Sequence, residues 1–189
     1  LLERSKSIKP DIVGLSFYYW NTNLNYYLVK KIREINNDVI IAFGGPSIDS
    51  IKEEQEKLLN RFPEVDIFIE GEGELGFSKV VGRALSQPNK IYDTPIECSF
   101  FNQNGEFVKG INTSFTLPLD NVPSPYLNGS LDEFLLLGFK PLLQATRTCP
   151  YLCNFCVAGK DRGKLRSFPM DQIKEEIDYI AKWNKNKPH

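Results

Sequence analysis

Three cysteines, Cys149, Cys153 and Cys156, lie in the loop Cys149-Pro150-Tyr151-Leu152-Cys153-Asn154-Phe155-Cys156. Thiolates are soft ligands, and a C-x3-C-x2-C spacing suits an iron–sulfur cluster or zinc. Three thiolates can hold three irons of a [4Fe–4S] cube and leave the fourth open. A structural zinc site takes four protein ligands. The remaining thiol is Cys98 and the single imidazole is His189, and neither stands at a paired ligand spacing. A disulfide would leave one of the three thiols over. The cluster is the preferred reading and a zinc-stabilised module the alternative. Arg147, Lys160, Arg162, Lys164 and Arg166 surround the loop. They read first as solvated charge and second as counter-charge for an anionic cluster.

A second group of candidates consists of small residues at strand ends. Residues 11–16, 39–43 and 65–70 are short apolar runs that suit buried strands. Helical patterns follow each run: from a cap at Asn21, Thr22 or Asn23 to Ile35, over residues 50–61, and through Leu75, Phe77, Val80, Val81 and Leu85. Alternating strands and helices predict a parallel sheet covered on both faces. Ligands of such sheets bind beyond the carboxyl ends of the strands. Ser16, Gly44-Gly45 and Gly71-Glu72-Gly73 are therefore expected on one rim. Glycine lets backbone pass close to a ligand, although a plain turn explains Gly44-Gly45 as well. Residues 71–76 spell G-x-G-x-x-G. Glu72 and Glu74 would repel a pyrophosphate there, which disfavours a dinucleotide site.

The remaining elements divide the chain. Residues 96–101 and 106–111 flank Asn102-Gln103-Asn104-Gly105, a hairpin signal, and Asp120-Asn121-Val122-Pro123-Ser124-Pro125 is a stiff connector. Residues 141–146 read as a strand, followed by the cysteine loop. Then comes a helix opened by Met170-Asp171-Gln172-Ile173, with Ile173, Ile177, Ile180 and Ala181 on one stripe. The expected organisation is an α/β domain over 1–90, a linker with a hairpin over 91–137, and one βα unit of a second α/β domain over 138–189.

Composition sets the outer bounds. The 189 residues carry 23 basic and 24 acidic side chains, a net charge of -1. No basic field predicts nucleic-acid binding. No run of about 18 apolar residues predicts a transmembrane helix. The start, Leu1-Leu2-Glu3-Arg4, shows neither an initiator Met nor an export signal. The chain is expected to be a cytoplasmic piece of a longer protein that would not turn over alone.

The loop Thr148-Cys149-Pro150-Tyr151-Leu152-Cys153-Asn154-Phe155-Cys156, with an aromatic residue before its third cysteine, resembles the cluster loop of the radical S-adenosylmethionine (SAM) superfamily. The resemblance implies Cys149, Cys153 and Cys156 as ligands of a [4Fe–4S] cluster. Its open iron would bind the amino and carboxylate groups of SAM, and the reduced cluster would cleave SAM to a 5′-deoxyadenosyl radical. Phe155 would lie near the adenine. Arg166 before Ser167-Phe168-Pro169 resembles the family's lead into its first helix. An electron donor such as flavodoxin or ferredoxin and a small-molecule substrate are implied.

Val13-Gly14-Leu15-Ser16, Phe43-Gly44-Gly45-Pro46 and Glu70-Gly71-Glu72-Gly73-Glu74 resemble the cobalamin-binding domain fused ahead of many radical SAM barrels. The resemblance implies that Ser16, Gly44 and Gly45 line the slot for the cobalamin nucleotide tail, with Gly71, Glu72 and Gly73 as further cofactor contacts. The family's Asp-x-His-x-x-Gly cobalt-ligating pattern is absent, His189 being the sole histidine. The implied fold is a flavodoxin/Rossmann-like parallel sheet of B12-binding type, a linker hairpin and the first βα unit of a radical SAM partial barrel. The implied function is radical SAM chemistry with cobalamin, such as methylation or cyclisation. A non-catalytic cobalamin-binding or zinc-stabilised module is the alternative.

Overall fold

The computed structural model describes residues 2–151, 153, 155 and 164–184 and divides the chain into two units, Leu1–Phe115 and Thr116–His189. In the first unit, β1 (Ile12–Ser16), β2 (Ile40–Gly44) and β3 (Ile67–Ile69) run parallel. Their register sets Ser16 beside Gly44 and Gly44 beside Ile69. The helices are α1 (Leu2–Ile8), α2 (Thr22–Ile35), α3 (Lys52–Arg61) and α4 (Gly73–Ser86). Side chains alternate across a strand, so each run feeds two layers. Val13, Leu15, Ile41, Phe43 and Phe68 face α2 and α3 and pack with Val29, Ile32 and Leu59. Ala42, Ile67 and Ile69 face the other way and meet Val80 of α4. Both faces of the sheet are covered, as expected. The short α1 was not anticipated; its seven residues show little apolar periodicity, and Leu2 anchors it on the first core.

The hairpin belongs to this sheet and is no linker. β4 (Ser99–Gln103) pairs antiparallel with β3, and β5 (Glu106–Lys109) pairs with β4, giving the order β1-β2-β3-β4-β5. The reason is burial. Phe100 and Phe101 are consecutive, so they point to opposite faces, and both are fully buried. Only a strand inside a covered sheet can bury two neighbouring aromatics that way. Asn104 and Gly105 close the turn, as the sequence suggested.

At the amino-terminal edge of the sheet Arg33 gathers the ends of three elements. Its Nη1 donates to the carbonyls of Asn37 (2.7 Å) and Val39 (2.6 Å), and its Nη2 to that of Glu64 (3.1 Å). Nη2 also pairs with Asp66 at 2.5 Å, while Ile41 N–H donates to the same carboxylate at 2.6 Å. Burial pushes the Asp66 carboxyl above its ordinary range, against the pull of the Ile41 amide and of Arg33. Arg33→Met removes part of that pull and leaves three carbonyls short of a donor. A cost of about 2–3 kcal/mol is expected. The sign with pH follows from the raised folded-state value. The folded chain then holds a proton that the unfolded chain has released, so stability falls as pH rises through that window. Urea unfolding should give a larger Arg33→Met deficit at neutral than at mildly acidic pH.

In the second unit α5 (Asp132–Leu136) and α6 (Met170–Asn184) pack through Tyr126, Leu135 and Ile180. Tyr179 Oη donates to Asp132 at 2.6 Å. Of the stripe expected on α6, Ile180 is buried but Ile177 stays about half exposed. Residues 141–146 form no full strand: only Thr146–Arg147 (β6) enters a ladder, with Arg166–Ser167 (β7). The backbone of Leu142 bonds instead to the Tyr126 hydroxyl, through both its N–H and its carbonyl. No helix among the described residues is long and apolar enough to cross a membrane.

Candidate cofactor-binding rim and cysteine loop

The parallel register brings Ser16, Gly44-Gly45 and the turn at Gly71 to the carboxyl edge of β1, β2 and β3. Ser16 is held by two asparagines of the following segment. Asn25 Nδ2 donates to its carbonyl at 2.5 Å and Asn21 Nδ2 to its Oγ at 3.1 Å. With Oγ already accepting, the Ser16 hydroxyl keeps its proton to donate. Asn21, expected as a helix cap, makes no side-chain cap; its Oδ1 accepts from Tyr18 N–H at 2.9 Å.

The glycines of the rim separate into two kinds. Gly45 has φ +142°, and a Cβ there would stand 2.8 Å from the Phe17 carbonyl oxygen. Gly71 has φ +75°, and its Cβ would collide with Ser114 Oγ. The fold itself requires these two. Gly44 and Gly73 are not required in that sense. A Cβ on Gly44 would meet only Ile69, at 3.4 Å, and one on Gly73 would meet nothing within 4 Å. Gly44 leaves room for a side chain beside Ile69, and Gly73 opens to solvent.

Several residues that sequence reasoning did not select stand at or near the rim. Gly14 pairs with Ala42 on the face that carries Ser16 and Gly44, and the ring of Phe77 from α4 closes over it at 3.0 Å from a Cβ position. Alternation in β1 and β2 was the available signal: large apolar Val13, Leu15, Ile41 and Phe43 on one face, small Gly14, Ser16, Ala42 and Gly44 on the other. Ser114, buried, accepts from Glu72 N–H at 3.2 Å and donates to Asn112 Oδ1 at 2.7 Å. It thereby pins the turn of Gly71 and Glu72. Beyond Ser16, Tyr18 stacks on Trp20 and Tyr19 meets Trp20 edge-on, with Tyr19 and Trp20 both largely exposed. Ser114→Ala leaves the Glu72 amide without its acceptor. Urea unfolding should register a loss of about 1–2 kcal/mol.

In the second unit the cysteine loop is closed at its base. β6 and β7 pair Thr146 with Ser167 and Arg147 with Arg166. Thr148 Oγ1 donates to the Lys164 carbonyl at 2.7 Å and Phe168 N–H to that of Ala145 at 3.0 Å. Cys149 is half-buried and Cys153 exposed, and both thiols are free. Phe155 is 92% exposed. Cys156, Lys160, Arg162 and His189 lie outside the described residues. The basic residues at the base have fold roles: Arg147 lies over the ring of Phe168, and Arg166 Nη1 donates to the Leu117 carbonyl at 2.8 Å. Cys98 is buried in the first unit against Thr113, whose N–H donates to its sulfur at 3.4 Å.

Residues 1–81 match the family model described as the B12 binding domain. The chain is 29% identical over 182 residues to the cobalamin-dependent radical SAM methyltransferase TokK of Streptomyces tokunonensis, covering 93% of this chain and 26% of that protein. It is 28% identical over 180 residues to 2-(S-pantetheinyl)-carbapenam-3-carboxylate methyltransferase of Streptantibioticus cattleyicolor, covering 91% and 26%. The chain thus spans about a quarter of the length of these curated relatives. Among solved structures, apo OxsB, a cobalamin-dependent S-adenosylmethionine radical enzyme, shares the fold with a TM-score of 0.72 at 23% identity, over 97% of this chain and 25% of that one.

Proposed function

We propose that this chain, which has a B12-binding domain and whose relatives are cobalamin-dependent radical SAM methyltransferases, carries the cobalamin site and the cluster loop of an enzyme of that class. The observation that carries the reading is the rim. Ser16 and Gly44 share one face at the strand ends, and a Cβ on Gly44 would meet only Ile69. The Ser16 hydroxyl would donate to the nucleotide tail of a cobalamin bound along this face. Gly45 and Gly71 hold the two turns that frame it, and Glu72 and Gly73 border it.

Cys149, Cys153 and Cys156 would hold a [4Fe–4S] cluster, and Phe155 would lie near the adenine of a bound SAM. Two exposed or half-buried free thiols at the mouth of a loop whose base is stapled by β6 and β7 suit that task. When bound, the cluster supplies the electron that cleaves SAM, and cobalamin supplies a carrier for the transferred methyl group. This chain's residues bind and orient both groups. The reaction is methyl transfer to a small molecule, with flavodoxin or ferredoxin as electron source.

Hydroxocobalamin titrated into the chain tests the reading. The expected result is saturable one-to-one binding by calorimetry and co-elution on gel filtration, with no heat from NAD. Cobalamin eluting apart from a folded chain overturns it.

A further inference from the structure

Behind the rim, buried polar residues connect two of its loops. Glu70, the last residue before the Gly71 turn, is 4% exposed. Its Oε2 stands 2.9 Å from Nζ of Lys109 on β5, off the line of a hydrogen bond, so the contact is chiefly coulombic. The same ammonium donates to Oε1 of Gln55 on α3 at 3.1 Å and to the Ser50 carbonyl at 3.4 Å. Gln55, fully buried, donates through Nε2 to the Asp49 carbonyl at 2.7 Å. The contacts run without a gap from the loop after β3, across β5 and α3, to the loop after β2.

Their chemistry is costly for a purely structural role. Lys109 keeps 29% of its side chain exposed, but Glu70 is buried; taking a carboxylate out of water costs several kcal/mol, and apolar side chains often serve a core as well or better. The same layer is otherwise built of Phe43, Phe68, Phe100 and Phe107. What the polar set provides is a tie between the loop after β2, at Asp49 and Ser50, and Glu70 at the start of the Gly71 turn. We propose that Glu70, Lys109 and Gln55 are positioning residues that hold these two loops at the spacing the cofactor's nucleotide tail needs. The inference rests on the cobalamin reading above and assigns that site its supporting layer.

The test uses Lys109→Met and Glu70→Gln in the whole chain. Two quantities are read: amide exchange over residues 45–51 and 70–74, and affinity for hydroxocobalamin beside dicyanocobinamide, which lacks the nucleotide tail. Exchange should quicken in both loops and not in the strands. Cobalamin should bind about tenfold more weakly, the order by which loss of an outer support weakens a ligand site. Cobinamide affinity should not change, and Lys109→Arg should restore part of the loss. A folded variant with wild-type exchange and affinity overturns the inference. So does an equal loss for both corrinoids with exchange raised throughout the sheet, since that marks general loosening. Glu70→Gln, nearly isosteric, carries the same reading where Lys109→Met does not fold. If the wild type binds neither corrinoid, the cobalamin reading fails, and loop exchange alone decides whether the three residues hold the loops.

Discussion

Alanine at any one of Cys149, Cys153 or Cys156 is expected to abolish iron–sulfur reconstitution of the chain. Each thiolate would hold one iron, and no fourth thiol stands near enough in sequence to replace it, Cys98 being buried elsewhere. Cys149 and Cys153 are free and solvent-accessible, so their truncation should leave folding stability nearly unchanged. After anaerobic reconstitution the wild type should carry about four irons and four sulfides with broad visible absorption, and each variant close to none. Cys98→Ala is the control. It removes a buried sulfur that accepts from Thr113, so it should cost about 1–2 kcal/mol in urea unfolding while the cluster assembles as in the wild type. Zinc retained by the wild type with no uptake of iron would overturn the cluster assignment and favour the zinc-stabilised module.

The second large effect separates the two kinds of glycine. Gly44→Leu should fold and lose cobalamin. Its Cβ would meet only Ile69, at ordinary contact distance, and its backbone lies outside the left-handed region. The remainder of the leucine would stand where the tail is proposed to lie. An overpacking penalty of about 1–3 kcal/mol corresponds to roughly fivefold to 150-fold in Kd. Gly45→Ala should show the opposite pattern. With φ +142° and a Cβ 2.8 Å from a backbone oxygen, it should lower folding stability by about 2–5 kcal/mol. Urea unfolding and cobalamin titration on the same two proteins check both statements. Equal behaviour of the two variants in both assays would dissolve the distinction.

The rim was legible in the sequence because each parallel strand is an apolar run cut off by residues too small to pack: Ser16, Gly44-Gly45 and Gly71. Period alone sufficed to align them. The role of the hairpin was not legible. Its turn was readable at Asn104-Gly105, but a loosely attached hairpin and an inner strand share the same alternation. The deciding fact, that Phe100 and Phe101 are both buried, is tertiary. Ser114 and Lys109 were missed for a related reason. Each acts on a loop some forty residues away, and a serine or a lysine in a polar stretch looks like surface. Residues 141–146 read as a strand from their apolar content, yet Leu142 is 84% exposed and forms no ladder. Apolar content specifies a strand only where neighbours are present to pair with it.

The central claim is that the nucleotide tail of cobalamin lies at the carboxyl ends of β1 and β2, beside Ser16 and Gly44. A crystal structure of the chain grown with hydroxocobalamin tests it most directly. The tail should run over Ser16 and Gly44, within hydrogen-bond distance of Ser16 Oγ and between the turns at Gly45 and Gly71. A tail bound elsewhere on the chain, with this face covered only by water, would contradict the account.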